Sequence, residues 1–100
     1  MKLNNKKKIS FLDNNNLNNV QKLLKVMEYL RDPEKGCPWD IKQTFSSISP
    51  YTLEEAYEVV QAIQDENFEN LREELGDLLL QVVFLSQIAN EKKLFCFDDV

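Results

Sequence analysis

The chain has 100 residues, 43% of them hydrophobic, with 17 acidic against 12 basic side chains, a net charge of −5 and no histidine. That length allows one domain at most, and only 2 Gly and 3 Pro favour helices. The acidic balance argues against a nucleic-acid polymer or an anionic membrane as partner, and the missing histidine excludes Ser-His-Asp triads and histidine-ligated zinc within this polypeptide.

Residues 1–16 are rich in Lys and Asn and are expected to form a flexible tail. Lys6, Lys7 and Lys8 in it read as solubilising, since three lysines in an acidic protein are a poor nucleic-acid footprint. The apolar patch from Ile9 to Leu12 is too short for a signal-peptide core, and no run approaches membrane-spanning length. A soluble, cytoplasmic protein is the expectation, with Cys37 and Cys96 as reduced thiols because no other soft ligand flanks either.

Helical spacing begins at Leu17. Leu17, Val20, Leu23, Leu24, Met27 and Leu30 predict an amphipathic helix ending near Arg31, where Asp32-Pro33 stops it. Asp32 to Gln43 reads as a loop around Gly36-Cys37-Pro38-Trp39-Asp40, followed by a short helical turn at Phe45 to Ile48. Pro50 suits the first turn of a second long helix, with Ser49 as its N-cap. That helix is expected to run to about Gln64 and to bury Leu53, Ala56, Tyr57, Val60 and Ile63.

A turn over Asp65 to Phe68 leads to a third long helix, from about Glu69 or Asn70 to Asn90 or Lys92. Gly76 sits inside it at a cost of about 1 kcal/mol against alanine, so it is expected to admit a close neighbour or ligand. The run Leu78 to Leu85 is apolar almost all round and needs cover on every side. Two other helices of this length cannot supply it, which predicts burial in a homodimer or larger bundle. The chain ends on Phe97-Asp98-Asp99-Val100, read as the opening of a further helix. Cys96 and the aromatics Phe45, Tyr51, Tyr57, Phe68, Phe84, Phe95 and Phe97 read as packing groups.

The chemistry lies in two acidic motifs, Glu54-Glu55-Ala56-Tyr57-Glu58 and Glu74-Leu75-Gly76-Asp77. In each, carboxylates recur at i and i+3 and leave one helix face together. With the turn near Glu66 and antiparallel helices, residues whose numbers have equal sums stand at equal height. Glu55 with Asp77 and Glu58 with Glu74 satisfy that condition, so four carboxylates meet at one level. Bare, they repel one another and raise their own pKa values. A hard divalent cation, Mg²⁺ or Mn²⁺, relieves the repulsion. Glu66, Glu69 and Glu73 lack such partners and read as solvated.

The surrounding residues resemble the MazG-type nucleoside triphosphate pyrophosphohydrolases of the all-α NTP pyrophosphohydrolase superfamily. The resemblance covers roughly residues 20–100. It rests on the EExxE…ExxD pattern together with Leu30-Arg31-Asp32-Pro33, Gly36-Cys37-Pro38-Trp39-Asp40, Gln43-Thr44, Pro50-Tyr51 and Leu71-Arg72-Glu73-Glu74-Leu75-Gly76-Asp77-Leu78-Leu79.

It implies an all-α antiparallel helical bundle completed by homo-oligomerisation, with 17–100 as the helical domain. It further implies Mg²⁺ on Glu55, Glu58, Glu74 and Asp77, with Glu54 beside them, and cleavage of a nucleoside triphosphate between its α and β phosphates. Glu54 or Glu55 is the candidate proton acceptor. Lys42 and Arg72 are candidates for phosphate contact, with Lys92 and Lys93 behind them, and Trp39 either stacks on a base or plugs a core edge. In the family a further helix bearing basic residues follows the point where this chain ends, so 17–100 is expected to lack that element. The alternative is a helical oligomerisation or nucleotide-binding module without turnover.

Overall fold

The computed structural model describes residues 10–100; residues 1–9, with Lys6, Lys7 and Lys8, lie outside the described residues. Four α-helices and two short 3-10 turns make up the regular structure there, and no strand occurs among the described residues. They are α1 (Asn19–Leu30), α2 (Pro38–Ile41), α3 (Phe45–Gln64) and α4 (Phe68–Glu91). The all-α class is as expected. The chain divides into two compact units, one ending at Lys42 and the other running from Gln43 to Val100.

In the first unit, a 3-10 turn at Ser10–Asp13 lies within the stretch expected as a tail. Helix α1 starts two residues later than Leu17 because Asn18 caps it. The Asn18 side chain accepts from the Gln21 amide at 2.8 Å, and Gln21 Oε1 accepts from the Asn18 amide at 2.8 Å. Met27 and Leu30 are its buried residues.

Beyond α1 the chain turns on Asp32, whose Oδ1 accepts from the amides of Glu34 and Lys35, both at 2.9 Å. Gly36 is needed for space. A Cβ there would collide with the Leu30 carbonyl oxygen and come within 2.6 Å of that of Asp32. Arg31 Nη1 then donates to the carbonyl of Asp40 at 2.7 Å, satisfying the end of the short α2.

In the second unit, α3 begins at Phe45, earlier than Pro50 suggests, and the separate turn expected at Phe45 to Ile48 is its first turn. Thr44 is the N-cap in place of Ser49: Thr44 Oγ1 accepts from the Ser47 amide at 3.2 Å, and Ser47 Oγ accepts from the Thr44 amide at 2.7 Å. This reciprocal cap outweighs the proline. Pro50 lies inside the helix, where its missing N–H leaves the Ser46 carbonyl without a helical donor, at a residue that is exposed to water.

The apolar face expected to be buried on α3 is largely open in the single chain, where only Ala56 of its residues is partly covered. Tyr57 is 67% exposed, Leu53 59%, and Val60 and Ile63 are exposed as well. The residues on α3 that lose water instead are Ile48 and Ala62, with Thr52, Glu55 and Val59 partly covered. Their spacing of three and four residues puts them on one face, which is the face that brings Glu55 to α4.

Helices α3 and α4 form an antiparallel hairpin. Its turn uses Glu66 at φ 52°, a left-handed conformation that lets the Asn67 amide reach the Ala62 carbonyl at 3.1 Å. Asn67 then caps α4 by accepting from the Asn70 amide at 3.1 Å. Val83, Phe84, Ile88 and Ala89 are buried in the second half of α4, whereas Leu75, Leu79 and Leu80 remain exposed. The all-round apolar run is thus covered in part within one chain. After α4, the Phe97–Asp99 stretch is a 3-10 turn in which Asp99 Oδ2 accepts from the Cys96 amide at 2.9 Å.

Candidate metal centre

Glu55 lies midway along α3, and Glu74 and Asp77 lie in the first half of α4. Each offers a carboxylate oxygen, and these oxygens all fall within 4.8 Å of one another. Glu55 and Glu74 are partly covered and Asp77 is exposed, so the group sits at the edge of the seam with one side open to water.

The electrostatics follow the equal-height pairing. Burial raises the Glu55 carboxyl above its ordinary value, and Asp77 is the strongest of the charges that add to it, followed by Glu74, Glu54 and Glu58. Loss of water contact also raises Glu74, with Glu58 the strongest of its neighbouring charges. Glu58 therefore borders the trio, although it is not one of the three whose oxygens converge. Glu54 acts on Glu55 from the same helix.

These donors fit a hard divalent cation. They are all carboxylates, they converge from two helices, and their repulsion is of the kind that such an ion removes.

The other expected site residues are not among the three whose oxygens converge. Arg72 pairs with Glu69 at 2.7 Å, with both side chains largely in water. Two residues before Glu74 on a helix is about 200° round its axis, so Arg72 leaves α4 on another side. Trp39, 51% exposed on α2, and Lys42, also exposed, belong to the first unit. Lys92 and Lys93 close α4, far along it from Glu74.

No chain atom comes within 4 Å of a Cβ built on Gly76, so no neighbour within the chain accounts for that glycine. Sequence reasoning passed over Gln81. Its Oε1 is buried without a hydrogen-bond partner.

Residues 43–100 match the model of the MazG nucleotide pyrophosphohydrolase domain. The chain belongs to the MazG family. The match begins at Gln43, where the second compact unit also begins.

Relatives of this MazG chain include a nucleoside triphosphate pyrophosphohydrolase of Escherichia coli, 58% identical over 84 residues, covering 84% of this chain and 32% of the relative. Another is the nucleoside triphosphate pyrophosphohydrolase/pyrophosphatase MazG of Thermotoga maritima, 52% identical over 80% of this chain and 31% of the relative. A third, a nucleoside triphosphate pyrophosphohydrolase of Mycobacterium tuberculosis, is 48% identical over 63% of this chain and 20% of its own length. The chain thus spans about a third or less of these curated relatives. The Escherichia coli match is longer than the family match and also takes in part of the first unit.

Proposed function

We propose that this MazG chain is a Mg²⁺-dependent nucleoside triphosphate pyrophosphohydrolase domain, with Mn²⁺ as a substitute ion, which cleaves its substrate between the α and β phosphates to a monophosphate and pyrophosphate. The observation that carries the reading is the convergence of Glu55, Glu74 and Asp77 within 4.8 Å from two helices, in a chain whose relatives bear that activity in their names.

Glu55, Glu74 and Asp77 would hold the ion, with Glu58 completing the set from the border. When bound, the ion supplies charge neutralisation at the phosphates and acidifies water. Glu54, or Glu55 where it is not consumed in binding, accepts the proton of the attacking water. Trp39 and Lys42 are the candidate contacts for base and phosphate, and Arg72 would have to leave Glu69 to join them.

The same reading includes self-association and a cytoplasmic setting. Its support is the open apolar face of the hairpin. The register that pairs Glu55 with Asp77 also levels Leu53 with Leu79 and Tyr57 with Leu75, and all four are exposed. Such a surface suits a second copy better than water. No helix among the described residues is long and apolar enough to cross a membrane.

The test is product analysis after incubating the chain with each of the common ribo- and deoxyribonucleoside triphosphates, with Mg²⁺ and with EDTA. Monophosphate and pyrophosphate in equal amounts, with Mg²⁺ only, is the expected result. Diphosphate and inorganic phosphate would contradict the bond assignment. Metal binding without turnover would favour a binding module.

A further inference from the structure

We draw no further inference here: the strongest candidate, the exposed apolar face of the α3–α4 hairpin around Leu53, Tyr57, Leu75 and Leu79, belongs to the self-association already proposed, and nothing in the structure shows what else would cover it.

Discussion

Glu55 on α3 and Asp77 on α4 stand level across the hairpin, and of all the charges around Glu55 that of Asp77 acts on it most strongly. The four charges acting on Glu55 are all carboxylates. A hairpin built this way is strained against itself until protons or a cation arrive. That property yields the first prediction.

In the metal-free chain, stability increases as pH falls. Glu55 and Glu74 have folded pKa values raised above 4.5, so the folded chain binds more protons than the unfolded one in the window between those raised values and 4.5. The gain is complete below 4.5. Asp99 acts in the opposite direction at lower pH, because the Cys96 amide holds its carboxyl below 3.8 and that contribution is lost on protonation. Saturating Mg²⁺ reverses the trend in the upper window, since protons then compete with the ion. Thermal melts from neutrality downward, in EDTA and in Mg²⁺, check both signs.

Gly76→Ala stabilises the metal-free chain by up to about 1 kcal/mol, the difference in helix propensity, because the added methyl meets nothing in the chain. Urea denaturation measures this. Destabilisation would show that the glycine serves a contact within the chain.

Gly36→Ala acts the other way. Its Cβ runs into the backbone carbonyls of Leu30 and Asp32, which cannot yield as a flexible side chain would. A loss of roughly 1–3 kcal/mol is expected, in the range for overpacked sites. The same denaturation experiment separates the two glycines by sign.

Much of the site was legible because an antiparallel hairpin with a short turn fixes register, and Glu55, Glu74 and Asp77 come together as the equal-height argument requires. The start of α3 was less legible, since Pro50 is a strong helix-start signal and the Thr44–Ser47 cap a quieter one. The inward face of α3 was misread for a clearer reason. Its stripe runs Ile48, Thr52, Glu55, Val59, Ala62 and includes a glutamate, so apolar periodicity alone selects the opposite stripe of Leu53, Tyr57 and Val60. A carboxylate in the seam disguises the seam.

That opposite stripe carries a prediction of its own. Leu53→Glu combined with Leu79→Glu places charges at one height on the open face. Analytical ultracentrifugation should find self-association in the wild-type chain and a monomer in the double variant, with helical content retained. A wild-type monomer would contradict the assignment of that face to a second copy.

We propose above that the carboxylates converging from α3 and α4 are the metal site of a triphosphate-cleaving MazG domain. The most direct measurement compares pyrophosphate release by the wild-type chain and by Glu74→Gln as Mg²⁺ is titrated. Saturable, Mg²⁺-dependent release is expected of wild type, with a loss of at least about a hundredfold in the variant, beyond the cost of changing a merely supporting group. Glu74→Gln is also expected to fold as well as or better than wild type in EDTA, since one repelling charge is gone. Equal release by the two chains, or release by wild type undiminished in EDTA, would contradict it.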